Sequence, residues 1–384
     1  MYRFAYITNF LLAATAGVVF VLLSDLQDTF GIPTWGLGVI AGAGFLGALI
    51  VQLLLAPLAD RGATLTVGAI GLAAGVGGSF WFVVADTMIG FAASRALLGV
   101  GAGLFVVASR KAVIGLTAEG SGAKLGALLS SSVAGFIFGP LLGAFLVDFG
   151  IDAPFIVLGV AIILVTPPTL WWLHQTPVAT AVVPLSAMFA LAKRPGIQAS
   201  MIGQSVLFAN VGVFDGTVDR YLTDLGAGNG LIALMLVGMG APLVLLPSRT
   251  GALVDRRGGE RVLVVSLFLA VPALLIYGLA TAIPFIMFAG VMQGVVESFA
   301  FPATQVLTVK ETGAPEAAIG QALLDITGSS TAMVWATLGP ALYGTLGPGG
   351  LYAIAAANAA VLAVAVQRRL KVRDQERQLV AMPQ

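Results

Sequence analysis

The chain has 384 residues, of which 58% are hydrophobic and only 10% are charged, with a formal net charge of +1 and a mean hydropathy of +1.00. Soluble proteins carry about 25% charged residues, so this composition excludes a soluble protein, and the small net charge argues against a nucleic-acid partner. The absence of cysteine and the single histidine, His174, exclude disulfides, Cys-ligated metals and a histidine cluster. We expect no cofactor.

Twelve apolar segments follow one another along the chain, and about 20 residues suffice to cross a bilayer core. Continuous segments of this length predict helices, because barrel strands are short and alternating. The first segment shows no small-residue cleavage site, so we interpret it as a transmembrane helix and not as a signal peptide. We predict an all-α integral membrane protein with twelve transmembrane helices at 4–24, 34–57, 64–85, 88–110, 122–147, 152–173, 196–220, 227–248, 261–281, 283–308, 318–346 and 350–369.

The basic residues predict the orientation of these helices. If the N-terminus is cytoplasmic, 17 of the 19 lysines and arginines fall on the cytoplasmic side, and only Arg95 and Arg220 do not. Such an excess is typical of cytoplasmic loops. We therefore expect a multi-pass protein of the cell membrane, in contact with the lipid bilayer and with both termini in the cytoplasm.

A charged loop is repeated in the two parts of the sequence. The stretch Gly251–Gly258 has a weaker copy at Ala56–Gly62, and their acids, Asp60 and Asp255, lie 255 − 60 = 195 positions apart. The second copy resembles the G-x-L-a-D-R-x-G-R-R loop signature of the major facilitator superfamily, while the first copy starts with Ala56 and has no basic pair after its glycine.

This resemblance implies the major facilitator fold, in which two six-helix halves enclose the substrate path. We place the halves at 1–173 and 196–384, joined by a cytoplasmic linker at 174–195. The resemblance also implies that the loop acids hold the cytoplasmic side closed. The alternative is a loop that only sets topology, which explains the arginines but not the acids. The candidate gating residues are Asp60, Arg61, Arg110, Asp255 and Arg256.

The fifth segment carries Gly135, Gly139, Pro140 and Gly143. Glycines four apart form a flat ridge on a helix, and the proline removes one backbone hydrogen bond and bends it. The spacing resembles the G-x3-G-P-x2-G-G motif of the drug–proton antiporters of the superfamily, with Ala144 in place of the last glycine. This resemblance implies export, whereas the residues alone predict only helix packing.

Arg95 begins an R-x3-G-x-G pattern in the fourth segment, which also resembles a family motif. About seven residues from the segment start place it roughly 10 Å deep, so it should face a cavity or a partner. One interpretation is that Arg95 tunes the protonation of a carboxylate. The alternative is that it binds carbonyl groups of neighbouring helices and holds the bundle together.

Few acids lie inside the predicted helices. Glu297, near the middle of the tenth segment, is the candidate proton carrier, although a neutral packing role is the alternative. Asp325 is either a coupling residue or an acid favoured by a helix N-terminus. Asp215 and Asp219 form either an acidic vestibule or, for Asp219, a solvated helix end compensated by Arg220. The candidate proton-coupling residues are therefore Glu297, Arg95, Asp215 and Asp325.

In the family, the first, fourth, seventh and tenth helices line the cavity. The candidate substrate contacts there are Asn9, Phe20, Phe208, Asn210 and Gln293, and for the two phenylalanines packing or lipid contact is an equal alternative. So apolar a lining disfavours sugars and favours small, partly apolar compounds.

We predict a secondary active transporter, a monomer that exports small-molecule substrates in exchange for protons. The alternatives are an uptake permease for a small metabolite and a non-transporting assembly factor or receptor on the same fold. The sequence has no G-x4-G-K-[ST] loop for ATP, and His174 lies in the linker without a plausible nucleophile, so we expect no enzyme activity.

Overall fold

A computed structural model describes residues 2–55, 63–116, 121–176 and 185–381. These residues form helices joined by short turns, and no strand occurs within those ranges. The apolar composition explains the choice, because a lipid-exposed backbone must satisfy its hydrogen bonds within the segment, as a helix does. The predicted all-α membrane fold is confirmed.

The first seven helices come from the N-terminal part of the sequence. They are α1 (Arg3–Val18), α2 (Leu23–Phe30), α3 (Thr34–Ile50), α4 (Thr64–Val84), α5 (Met88–Gly115), α6 (Ser121–Leu146) and α7 (Ala153–His174). A tighter turn, Val19–Val21, ends α1, and a wider turn, Val51–Leu55, follows α3. Helix α2 replaces the loop that the sequence predicts between the first two membrane segments.

Six further helices complete the described chain. They are α8 (Leu185–Ala192), α9 (Pro195–Asp224), α10 (Asn229–Leu245), α11 (Pro247–Arg257), α12 (Gly259–Leu279) and α13 (Ile283–Ala381). Helix α11 corrects a prediction, because the stretch from Gly251 is helical through Arg257 and turns only at Gly258 (φ 83°). The charges predict a loop, but Pro247 in the first turn favours the start of a short helix.

The 99 residues of α13 do not form one straight rod. A straight helix of this length would extend about 150 Å, roughly five times the bilayer core. Instead Gly347, with φ 68°, marks a reversal. Arg373 Nη1 lies 3.2 Å from Glu311 Oε1 although 62 residues separate them. The helix therefore contains several crossings.

The described helices hold ten apolar segments long enough to cross a membrane, and α10 is a shorter apolar helix. One of the ten, Ile319–Leu379, has 61 residues, about three times a single crossing. The predicted segment 350–369 falls inside it, and so does the predicted segment 318–346 except for residue 318. The described residues therefore agree with the major facilitator fold, and the count of twelve crossings stays a prediction.

The chain forms two compact units that do not follow the order of the sequence. The first consists of Met1–Val182, Gly212–Val237 and Met333–Gly344, and the second of Val183–Val211, Gly238–Ala332 and Thr345–Gln384. The first unit thus contains the end of α9, the start of α10 and a piece of α13. The predicted linker 174–195 includes α8, while residues 177–184 lie outside the described chain.

In the first unit α1 packs closely on α6, and the predicted packing glycines lie at this contact. A Cβ atom on Gly135 would meet the carbonyl oxygen of Phe10, and one on Gly139 would meet that of Ala14. Pro140 lies inside α6 next to this ridge. A side chain at Gly139 would therefore force the two backbones apart.

In the second unit, charged side chains connect α12 to the end of α13. Arg373 Nη1 lies 3.0 Å from Glu260 Oε1 and 3.2 Å from Glu311 Oε1, and Lys310 Nζ lies 2.7 Å from Glu260 Oε1. The side chain of Arg373 is only 9% exposed, so this network anchors the C-terminal helix to the body of its unit.

Candidate functional site

Arg95 lies on α5 in the first unit and is 2% exposed. Its Nη1 donates to the carbonyl oxygen of Ala16, and its guanidinium carbon lies 4.5 Å from the centre of the Phe20 ring. The carbonyl of Ala16 is accessible because α1 ends two residues later in a tighter turn, and the last carbonyls of a helix lack intrahelical donors. Gly44 on α3 leaves room for the guanidinium, since a Cβ there would lie 3.0 Å from Nε.

Arg95 is buried without a direct salt bridge to any described carboxylate, and its Nε has no hydrogen-bond partner among those residues. The described acid that interacts with it electrostatically is Asp215 on α9, which is 3% exposed. Two of the four predicted proton-coupling residues, Arg95 and Asp215, thus lie near each other in the first unit. The contact with the Ala16 carbonyl fits the interpretation that Arg95 holds neighbouring helices together. The nearby Asp215 fits the interpretation that Arg95 tunes the protonation of a carboxylate.

Phe20 and Asn9, two candidate substrate contacts, have partners inside the first unit. Phe20 is 1% exposed and packs 5.4 Å from the ring of Phe136. Asn9 Nδ2 donates to the carbonyl oxygen of Leu128 at 2.8 Å and lies 2.5 Å from Ser132 Oγ. In this structure the amide of Asn9 connects α1 to α6.

Glu297 lies on α13 in the second unit and is 3% exposed. Its Oε1 accepts a hydrogen bond of 2.8 Å from Gln293 Nε2, one turn earlier on the same helix. Tyr277 on α12 interacts with the carboxyl group electrostatically, and its ring stacks on that of Tyr352 with centroids 5.0 Å apart. No described basic side chain forms a salt bridge with Glu297. The structure thus brings together Glu297 and Gln293, and adds two tyrosines that the sequence analysis did not select.

Phe208 and Asn210, also in the second unit, lie on α9. The ring of Phe208 is half-buried, 5.9 Å from that of Phe301 and 2.9 Å from where a Cβ on Gly328 would lie. Asn210 is 2% exposed, and its Nδ2 has no hydrogen-bond partner among the described residues. Asp325 is half-buried within α13, in the middle of helical backbone.

The predicted gating residues are only partly described. Asp60 and Arg61 lie outside the described residues, as does the side chain of Asp255, whose backbone belongs to α11. Arg256 is exposed near the end of α11, and Arg110 is half-buried on α5. The pairing of Asp60 with Arg110 stays a prediction.

A polar cluster that the sequence analysis missed connects α2 to α9 and α10 in the first unit. We call it the α2 latch, and it consists of Ser24, Asp25, Asp28, Asp219, Arg220 and Asn229. Its bonds join Ser24 N to Asp219 Oδ2 at 2.5 Å, Asn229 Nδ2 to Asp25 Oδ2 at 2.7 Å, and Arg220 Nη1 to Asp28 Oδ1 at 3.0 Å.

The latch corrects the expectation of a solvated helix end at Asp219, which is fully buried. Arg220 pairs instead with Asp28 and, at 2.6 Å, with Asp224. At the edge of the latch, burial raises the pKa of Asp25, and the neighbouring Asp28 adds to this effect while the amide of Asn229 opposes it. The only sequence signal for this cluster was the unusual density of acids at 25, 28, 215 and 219.

Known proteins resemble the chain in sequence and in fold. The multi-drug resistance efflux pump PmrA of Streptococcus pneumoniae serotype 4 is 26% identical over 291 residues, or 70% of each chain. The multidrug resistance protein MdtG of Klebsiella pneumoniae is 29% identical over 188 residues, which cover 46% of this chain and 45% of the relative.

Among solved structures, the nucleoside transporter NupG superposes with a TM-score of 0.75 at 15% identity, covering 96% of this chain and 98% of NupG. A bacterial homolog of the human lysosomal transporter Spinster, in an inward-facing and unoccupied conformation, gives 0.71 at 16% identity, covering 97% and 94%. The family model described as Major Facilitator Superfamily matches residues 5–207 and 200–381. The chain is therefore a multi-pass membrane transporter that belongs to the major facilitator superfamily.

Proposed function

We propose that this transporter exports small, partly apolar compounds in exchange for protons. The observation that carries the proposal is Glu297, an acid inside a membrane helix that has an amide neighbour but no described basic partner. A charge in such a place is energetically costly, and protonation removes the charge. A carboxyl group that changes its charge with access to water is suited to carry the coupled proton.

The second unit also supplies features suited to a partly apolar substrate. Phe208 and Phe301 offer aromatic surface, and the buried Nδ2 of Asn210 is a donor whose acceptor is not found among the described residues. A few polar groups within an apolar surface are typical of small-molecule sites. The similarity to two multidrug efflux proteins supports the outward direction.

The direct test is transport in inside-out membrane vesicles, with ethidium as a fluorescent, partly apolar probe. We expect ethidium to enter the vesicles when their interior is acidic relative to the medium, and to leave when the gradient is collapsed by a protonophore. Vesicles without the protein are the control. Uptake that requires an alkaline interior would contradict proton-coupled export.

An uptake permease for a small metabolite is the second candidate. The fold of NupG, a nucleoside transporter, is compatible with it, although 15% identity extends only to the fold. The same vesicles separate the candidates, since a proton-coupled uptake system moves substrate and protons in the same direction. If none of a broad panel of compounds is transported, the remaining alternative is a non-transporting assembly factor or receptor.

Both termini and the linker 174–195, between the halves 1–173 and 196–384, are proposed to be cytoplasmic. The motive is the position of 17 of the 19 basic residues. Reporter proteins fused after residues 190 and 384 should both show cytoplasmic activity in intact cells. A reporter that is active only outside the cytoplasm, at either point, would overturn this topology.

Asp60 and Asp255 are proposed to control the equilibrium between the two access states. An acid near the start of a helix or beside a basic residue stabilises one packing of the cytoplasmic ends. We expect Asp255→Asn, alone or with Asp60→Asn, to widen the distances between spin labels placed on the predicted cytoplasmic ends of the helices. Glu376→Gln, which changes an exposed acid of α13, is the control. Unchanged distance distributions in all three aspartate variants would remove this role.

A further inference from the structure

Asp219 is a fully buried acid that the proposed function does not use. Its Oδ2 accepts the backbone N–H of Ser24 at 2.5 Å, and its Oδ1 has no hydrogen-bond partner among the described residues. The adjacent base, Arg220, directs its guanidinium to Asp28 and Asp224 instead. The carboxyl group of Asp219 therefore lies inside the latch and forms no ion pair with a described residue.

The surrounding charges do not compensate an ionised Asp219. Asp25 on α2 interacts with it unfavourably and Arg220 favourably. The other neighbours in the latch region are Asp28 on α2, Asp215 and Asp224 on α9, the uncharged Asn229 on α10, and the Tyr343 hydroxyl of α13, which donates to Asp224 Oδ2 at 2.7 Å. Among these described groups acids outnumber bases. Arg220 is the cation of the latch, and Arg95 on α5 interacts with Asp215.

The latch also connects residues that transport must separate. Helix α2 belongs to the first predicted half of the sequence and α9 to the second. In this family access alternates as one half rocks against the other. The bond between Ser24 and Asp219 must therefore break when the substrate path opens at this end, and Asp219 then meets water.

We propose that Asp219 is a proton-binding site, and that its neutralisation allows the α2 latch to close. Closing the latch removes water from the carboxyl group, and burying an unpaired charge is unfavourable. A proton bound while the latch is open removes that charge, so proton binding and closure favour each other. The inference rests on the proposed proton coupling. It adds that a proton bound at the latch end of the substrate path closes the path at that end.

The test measures the latch itself. The chain has no cysteine, so Thr29→Cys on α2 and Gly228→Cys before α10, both exposed positions of the first unit, can be spin-labelled specifically. In purified protein without substrate, two populations of label-to-label distance are expected, and the short one belongs to the closed latch. This short distance should dominate near pH 5 and lose population as the pH rises to about 9. Asp219→Asn should keep the short distance at every pH, since the amide is neutral and still accepts from Ser24.

Asp86→Asn, which changes an exposed acid outside the latch, should titrate like the parent protein. The proposal is overturned if the parent distances do not change with pH, or if Asp219→Asn follows the parent titration. If Asp219→Asn does not fold, Ser24→Ala is the second variant, because the Ser24 hydroxyl also bonds the carboxyl group. Its loss removes a contact that only the closed latch makes, so closure should require a lower pH and its midpoint should move down by roughly one pH unit. An unmoved midpoint overturns the proposal.

These outcomes are independent of the proposed export, because the distances need neither a substrate nor a gradient. A latch that titrates in a protein without proton-driven transport would remove the proposed function and keep Asp219 as a proton site. Proton-driven transport by a protein whose latch does not respond to pH would keep the proposed export and overturn the role of Asp219.

Discussion

Glu297→Gln is expected to abolish proton-driven accumulation while substrate binding and downhill exchange continue. Glutamine has nearly the volume of a protonated glutamate and can keep the contact with Gln293, which lies 2.8 Å from the carboxyl oxygen. It cannot release a proton, so the coupled step is lost. One proton exchanged against one ethidium cation moves no net charge, so a gradient of one pH unit supports about tenfold accumulation, and the variant should fall to a ratio of about one.

The measurement is ethidium accumulation in the vesicles described above, with the size of an imposed pH step as the variable. Asp86→Asn is the matched control, because it removes an acid that is exposed between α4 and α5. If Glu297→Gln still concentrates substrate in response to the pH step, Glu297 has a structural role, and Asp215 or Asp325 becomes the better candidate for the coupling acid.

The second large effect is expected from Gly139→Ala in α6. The added methyl group would run into the carbonyl oxygen of Ala14, which belongs to the backbone of α1 and cannot rotate away. Overpacking of this kind costs about 1–3 kcal/mol. The thermal unfolding midpoint in detergent should fall, and transport should be impaired because the contact between α1 and α6 changes.

Gly126→Ala in the same helix is the matched control. Beyond the backbone of its own helix and its two chain neighbours, no atom of the described residues lies within 4 Å of a Cβ built at Gly126. Alanine is also a better helix former than glycine. This substitution should leave the midpoint unchanged or raise it. Equal midpoints for the two variants would show that the ridge at Gly139 tolerates a side chain and that the close approach does not determine stability.

Much of the fold follows from local properties of the sequence. Membrane helices must satisfy their own backbone, so the length of an apolar segment predicts a helix without knowledge of its neighbours. The spacing of Gly135 and Gly139 likewise predicts a close contact, since only small residues let two helix backbones approach. The boundaries were less predictable where charges are dense, as in α2 and α11, which were expected as loops.

The environment of the buried charges could not be predicted, because it depends on residues distant in sequence. Asp219 is buried, and the backbone N–H that bonds it belongs to Ser24, 195 positions away. Arg95 is bound by a carbonyl of α1 that is available only because that helix ends in a tighter turn. Asn9 is polar and lies in a predicted membrane segment, yet its amide donates to a carbonyl group of α6. Polarity and depth identify such residues, and only the partner helix shows their role.

The interleaved sequence of the first compact unit has a consequence for biosynthesis. Its last piece, Met333–Gly344, ends 40 residues before the end of the 384-residue chain. The ribosome needs roughly 15–60 s to add the 320 residues between Ser24 and Gly344 at about 5–20 residues per second. Until then, helices already inserted in the membrane lack their final neighbours. Truncated chains that stop before residue 333 should therefore be favoured substrates of membrane quality-control proteases, even though most of their helices are complete.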